Sequence, residues 1–258
     1  MTGDGINDSA ALKLSDVGFS MGSGTEVARE AGDIVILDDN IASIAKAVLY
    51  GRTLFKSIRK FIVFQLTMNL CAAAISIIAP FIGVETPVTV IQMLWVNIIM
   101  DTLAGLAFSG EPPLEGYMAE PPKSRTEAIL TGGMVRQITT SALFTLSLCI
   151  LFLKHPFFSA LFRASPNHIY LMTGVFAFFI FAGIANSFTA RVPDEGAHSR
   201  IIQNKPFVAI MILVSCVQLT MIYFGGTVFR TAGLTLRELI CVLLTASMIF
   251  QVNAIRRS

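Results

Sequence analysis

Six stretches of about twenty predominantly apolar residues govern what this chain can become: about 61–82, 88–109, 135–153, 169–189, 207–224 and 236–254. A bilayer's hydrocarbon core is about 30 Å thick and takes roughly twenty residues of helix to cross. Within it, backbone amides and carbonyls find no water, so an apolar segment satisfies them internally as a helix. The fourth stretch contains YLMTGVFAFFIFAGIANSF, with only Asn186 and a few hydroxyls as polar content. Composition agrees: the chain is 54% hydrophobic and 14% charged, where a soluble domain carries about a quarter charged residues. The expectation is a mainly α, polytopic membrane helical bundle of six transmembrane helices, in contact with a lipid bilayer.

The basic residues orient that bundle. Arg52, Lys56, Arg59, Lys60, Lys123, Arg125, Arg136, Arg191, Arg200, Lys205, Arg256 and Arg257 would share one side, twelve against Lys154, Arg163, Arg230 and Arg237 on the other. Cytoplasmic loops carry the excess of Lys and Arg, so both termini are expected in the cytoplasm. The net charge of +2 is scattered rather than gathered in a patch, so no nucleic acid partner is expected. Cys71, Cys149, Cys216 and Cys241 lie in apolar runs without metal-ligand spacing and are expected to be inert packing residues.

Residues 1–50 have a different character. DVGFSM (16–21) and DIVIL (33–37) are strand-like, and GTEVAREAG between them is helix-like. This is a small N-terminal α/β fragment, with too little surface to bury to be stable alone. Its remaining strands are expected upstream or in another chain. From Ile41 onward, helical periodicity continues into the first apolar stretch, so one helix would join the two parts mechanically.

The chain opens Thr2-Gly3-Asp4-Gly5-Ile6-Asn7-Asp8. Glycines allow close backbone approach to a ligand. Asp4 and Asp8 offer hard carboxylate oxygens of the kind magnesium takes alongside phosphate oxygens and water. Asn7 can donate to a phosphoryl oxygen without adding charge. Thr2, Gly3 and Asn7 are therefore candidate phosphate-binding residues, and Asp4 and Asp8 candidate magnesium ligands. The competing reading is a loop whose Asp and Asn cap a helix.

Within the spans, polar groups are costly and are functional suspects. The second stretch reads VIQMLWVNIIMDTLAGLAF, placing Asn97 and Asp101 four apart on one helix face. Asp101 is the one carboxylate deep within a predicted span. An oxygen pair facing the bundle interior suits a partly dehydrated cation; pairing with a neighbouring helix is the alternative. Thr102 and Gly105 would allow the helix to unwind there. Gln65, Gln92, Gln137 and Gln218 are expected to bond across helices or lie near span ends. Asn186 is a weaker ion-path candidate.

These strings closely resemble the P-type ATPases. That family carries T-G-D-G-x-N-D as the hinge motif of a phosphorylation domain of haloacid-dehalogenase fold, shortly before the fifth of ten membrane helices. Residues 2–8 match it throughout. Where the family continues with a small residue and then Pro-Ala-Leu, this chain has Ser9-Ala10-Ala11-Leu12. The resemblance implies a C-terminal fragment of the phosphorylation domain over 1–50 and a cation-ATPase C-terminal membrane domain over 51–258. It assigns Asp4 to catalytic magnesium, Asn7 to the phosphoryl group and Asp8 to support of that site, these three being the catalytic candidates.

The string L-W-V-N-x-x-x-D-T-L resembles the sixth helix of plasma-membrane-type calcium pumps, which makes Asn97 and Asp101 ligands of transported calcium. Asn69 matches an asparagine of the first calcium site in two-site reticulum pumps, and is a possible ion-path residue. Ala72 and Met100 replace ligands of those pumps, which implies one calcium per cycle. The nucleophilic aspartate of D-K-T-G has no match, and the actuator domain, the nucleotide-binding domain and the first four helices are missing partners. The expectation is thus a translocase fragment, inactive in isolation, at the plasma membrane, with magnesium as cofactor and ATP used only in a complete pump. The alternatives are a non-catalytic remnant, a passive or regulatory cation-pathway protein, or a pump for manganese, sodium or protons. Met1 directly before the hinge motif suggests a truncated or split gene.

Overall fold

In the computed structural model, residues 1–84, 86–124, 126–165, 167–191 and 204–251 are described. They form two compact units: Met1–Lys56 with Pro112–Ile129, and Ser57–Glu111 with Leu130–Ser258.

In the first unit, strands β1 (Thr2–Gly3), β2 (Phe19–Met21) and β3 (Ile34–Ile36) form a parallel sheet in the order β1-β2-β3. Parallel neighbours require a crossover, and helices α1 (Ser9–Leu14) and α2 (Glu26–Ala31) supply them. The strand register is Thr2 against Phe19 and Phe19 against Ile34. Leu12, Ala28 and Ala31 make the small core. Thr25 caps α2 by accepting the Ala28 N–H at 3.3 Å. The Ser43 hydroxyl donates to Asp38 at 2.6 Å and holds that exposed carboxyl below the usual carboxylate range.

Helix α3 (Ile41–Phe81) is unbroken for 41 residues and contributes to both units. Its first-unit portion grips the 112–129 segment. Arg52 Nη1 donates to the carbonyls of Tyr117 and Glu120, each at 2.6 Å, while Lys56 pairs with Glu120 and lies 4.1 Å from the Tyr117 ring centre. The short 3-10 helix Glu115–Ala119 presents the Tyr117 carbonyl, and Glu120 follows at its C-cap.

The second unit is a helical bundle. It contains the rest of α3, then α4 (Val90–Val96), a π-helical turn (Asn97–Asp101) and α5 (Thr102–Ser109) in one continuous helix. α6 (Gly132–Lys154), α7 (Pro156–Leu161), α8 (Ile169–Ala190), α9 (Lys205–Phe224) and α10 (Leu236–Ser247) follow. Among the described residues, five helices are long and apolar enough to cross a membrane: Ile41–Phe81, Val90–Ser109, Gly132–Lys154, Ile169–Ala190 and Lys205–Phe224. The sixth expected stretch, 236–254, is α-helical over Leu236–Ser247 and 3-10 over Met248–Gln251; its last three positions lie outside the described residues. Arg125, Arg200, Arg256 and Arg257 from the charge count also lie outside them.

Helix α8 is apolar on every side because it is enclosed on nearly every side, with Val175, Phe176, Ala177, Phe178 and Phe179 all buried. Between apolar helices in lipid, close packing replaces the hydrophobic effect, and small residues permit it. Gly174 is such a position: a Cβ there would fall 2.5 Å from Phe162 Cε1. Phe152 of α6 stacks on Phe178 of α8 with ring centres 5.7 Å apart.

At the start of α10, the Glu238 carboxylate is buried and fully engaged. It accepts the backbone N–H of Arg163 at 2.9 Å and of Thr235 at 2.6 Å, and pairs with the Arg163 guanidinium at 3.1 Å. Hydrogen bonds to a charged group contribute about 1.5–3 kcal/mol each, part of which is lost because the Arg163 side chain is half-exposed. Glu238→Ala is expected to destabilise the detergent-solubilised chain by about 2 kcal/mol, read as a lowered thermal unfolding midpoint.

Candidate functional site

Every in-span residue that sequence reasoning matched to a calcium site lines one cavity. Asn69 and Ala72 reach it from α3, and Asn97, Met100 and Asp101 from the π turn. Phe64, Met68 and Phe179 form apolar wall. The cavity holds about 10 Å³, close to the volume of one water-sized sphere. A single small, partly dehydrated cation is on that scale.

Its polar residues come from two helices of different periodicity. On α3, Gln65, Asn69 and Ala72 recur at i, i+4 and i+7, one face of an α-helix. On the partner helix, the five-residue turn Asn97–Asp101 is π-helical, and α-helical bonding resumes at Thr102, whose N–H is shared by the carbonyls of Ile98 and Ile99. π turns are rare and concentrate at functional sites. Thr102 and Gly105, which would allow the helix to unwind, mark no break in it. Both are α-helical, and a Cβ at Gly105 would meet Phe61 only at an ordinary 3.8 Å. The irregularity falls on the polar pair itself.

Asp101 is half-buried and faces two spaces. Besides the small cavity it lines an open groove of about 500 Å³ with Phe61, Ile62, Gln65, Leu66 and Thr102. Asn69 and Asn97 are exposed in the described chain, an unusual state for amides in apolar helices. Met100 is buried, its methyl close against Gly183 of α8. Asn186 does not line this cavity; it is buried, its Oδ1 accepting from Thr189 at 3.2 Å.

The residue-2–8 motif forms a tight loop at the end of β1. Asp8 Oδ2 accepts the backbone N–H of Gly5 at 3.0 Å and of Asp4 at 3.2 Å. One carboxylate oxygen of Asp8 therefore does the capping that sequence reasoning held as the competing role. Gly3 is what lets Asp8 turn back, since a Cβ there would sit 2.5 Å from Asp8 Cβ. Thr2, Asp4 and Asn7 are exposed beside it. The missing family proline costs little: α1 still begins at Ser9. Magnesium takes one or two carboxylates with substrate phosphates and water, and Asp4 with the second oxygen of Asp8 fits that donor set. Among the described residues, no three His, Cys, Asp or Glu side chains converge as a metal cluster.

A family model described as "Cation transporting ATPase, C-terminus" matches residues 85–258. The chain belongs to that family. Relatives of this cation-transporting ATPase segment align over nearly all of it. It is 39% identical to "Calcium-transporting ATPase 8, plasma membrane-type" of Arabidopsis thaliana over 254 residues, covering 94% of this chain and 23% of the relative. It is 40% identical to "Calcium-transporting ATPase 5, plasma membrane-type" of Oryza sativa subsp. japonica, covering 91% and 22%. It is 38% identical to "Plasma membrane calcium-transporting ATPase 1" of Homo sapiens, covering 92% and 20%. The chain thus spans about a fifth of the length of these relatives.

Gln65, expected to bond across helices or lie near a span end, lines the groove beside Asp101. The signal was available: Gln65 lies one turn before Asn69 on the same face. For the motif loop, Gly3→Ala is expected to displace Asp8 and destabilise the first unit by about 1–2 kcal/mol, within the range for overpacking and lost caps. Limited proteolysis should then cut residues 1–40 several-fold faster while the bundle fragment survives unchanged.

Proposed function

We propose that this chain is the C-terminal part of an ATP-driven, calcium-transporting P-type ATPase, contributing a magnesium and phosphate hinge motif and half of a membrane calcium site. The observation that carries the reading is the convergence of Asn69, Asn97 and Asp101 on one cation-sized cavity. It is supported by relatives whose names, in plants and a mammal alike, say calcium-transporting.

Calcium takes oxygen ligands, from carboxylates, side-chain amides and carbonyls. Asp101 supplies the charge, while Asn97 and Asn69 supply neutral oxygens. Three such residues do not complete a set of six to eight, so the remaining oxygens belong to further chain or to water. The exposed face carrying Asn69 and Asn97, and the groove beside Asp101, are where further helices of a complete pump would pack. Ala72 and Met100 bring no hard donor, which favours one ion over two.

At the other end, residues 1–50 are read as the last part of a haloacid-dehalogenase-like phosphorylation domain. When bound, magnesium would neutralise phosphate charge as it does in other phosphoryl transfers. Asp4 would hold it, Asn7 would orient a phosphoryl oxygen, and Asp8 would keep the loop folded. The covalent step needs an aspartate nucleophile that this sequence does not supply, so the chain alone is read as inactive. The stretch at 236–254 is read as a sixth span, which puts both termini in the cytoplasm at the plasma membrane.

A chimera carrying this chain in place of the matching segment of the Arabidopsis relative tests the reading. It should form an acid-stable phosphoenzyme from labelled ATP only when calcium is present. Asp101→Asn should raise the calcium needed at least tenfold or abolish phosphorylation, and Asp4→Asn should abolish it at every calcium level. An Asp101→Asn chimera with unaltered calcium dependence would overturn the ion assignment, and phosphorylation driven by manganese or sodium alone would redirect it.

A further inference from the structure

The π turn at Asn97–Asp101 raises the question of what keeps it. Such a turn holds one residue more than an α-helix accommodates. The excess relaxes if either flanking half rotates by about 100° and slides about 1.5 Å, one residue's step along an α-helix. A rarely populated backbone state persists where surrounding contacts over-determine it. Both ends of the Val90–Ser109 helix are held by such contacts.

The outer end is held by Gln92, which is 3% exposed. Its Oε1 accepts the Thr89 N–H at 2.8 Å while its Nε2 donates to the Phe229 carbonyl at 2.7 Å. Trp95, one turn further in, meets the Phe229 ring edge-on with centres 5.4 Å apart. Arg230, in the left-handed region at φ 48°, donates to Thr86 Oγ1 at 2.8 Å. The loop between α9 and α10 therefore grips the start of α4 from two sides.

The inner end is held by one carboxylate. Glu111, two residues past α5, accepts from Lys60 Nζ of α3 at 2.7 Å through one oxygen and from Arg191 Nε, just beyond α8, at 2.5 Å through the other. All three side chains are largely buried, at 8%, 12% and 6% exposure respectively. Arg191 is itself fixed, its guanidinium lying 4.0 Å from the Phe207 ring centre of α9. Three helices are thereby pinned around the end of the one that carries the π turn. Nothing in the proposed calcium chemistry uses these residues, and they lie outside the cavity.

We propose that Glu111 is a positioning residue: held by Lys60 and Arg191, and opposed by the Gln92–Phe229 clamp, it blocks the rotation that would let the Asn97–Asp101 turn revert to α-helix. The consequence for ion binding rests on the calcium reading, because reversion would move Asn97 and Asp101 out of mutual register. The clamp does not rest on it.

The test separates the two. The full chain in lipid nanodiscs, without calcium, is compared with Glu111→Gln and Gln92→Leu by hydrogen exchange and by the emission of Trp95, the single tryptophan. Each variant should raise exchange of the 97–103 amides at least tenfold while the middle of α8 stays within twofold, and Gln92→Leu should also shift Trp95 emission to the red. Glu111→Asp, which keeps the charge, should recover most of the protection. A rise spread evenly over the bundle would mean a merely structural ion pair, and no change at 97–103 would mean the turn holds itself; either overturns the proposal. In the chimeric pump, Glu111→Gln should then raise the calcium needed for half-maximal phosphorylation about tenfold, with little change in the maximum. Loss of the exchange protection in the variants alongside an unmutated chimera whose phosphorylation does not depend on calcium would leave the clamp standing and remove the calcium reading.

Discussion

In lipid, one apolar helix has no hydrophobic reason to seek another, so this bundle depends on how closely its helices can be packed around α8. That requirement explains the sequence of α8 better than hydropathy does. Leu, Phe and Ile would serve any helix facing lipid, but Gly174 and Gly183 are specific to a helix approached closely, by Phe162 on one side and Met100 on the other. Once α8 is enclosed, the remaining helices have fixed neighbours, and polar side chains can be placed against partners instead of lipid.

The polar groups then fall into two kinds. Gln92, Arg191 and Glu238 are buried, as is most of the Glu111 side chain, and each bonds to a loop or a helix end. Asn69 and Asn97 are exposed, and Asp101 is half-buried between the cavity and the groove. Groups of the first kind hold elements in place. Those of the second kind remain available, which is why they gather around the cavity and not at the ends of the bundle.

Much of this was legible in the sequence. Five of the six apolar stretches correspond to helices of membrane-crossing length, and the strand-like runs 16–21 and 33–37 contain β2 and β3. The helical periodicity that runs from Ile41 into the first apolar stretch corresponds to one helix, Ile41–Phe81, because charge on a helix changes its solvent and not its backbone. The cavity residues were found through side-chain type and spacing. The π turn was not, since NIIMD reads the same in α and π bonding; the choice depends on what holds the ends. Those ends could not be read either, because Lys60, Glu111 and Arg191 are separated by 51 and 80 residues and meet only through the packing of α3, α5 and α8. Asp8 was read as a ligand or a cap, and its two oxygens allow both roles.

Asp101 borders both the small cavity and the open groove, and this has an energetic consequence. A cation travelling between two separate acidic sites must leave one counter-charge before it gains the next, and in a medium of low polarity that gap is the barrier. Here the two spaces share a single carboxyl group. On the proposed calcium reading, an ion crossing from groove to cavity would keep one carboxylate beside it while exchanging neutral oxygens for water.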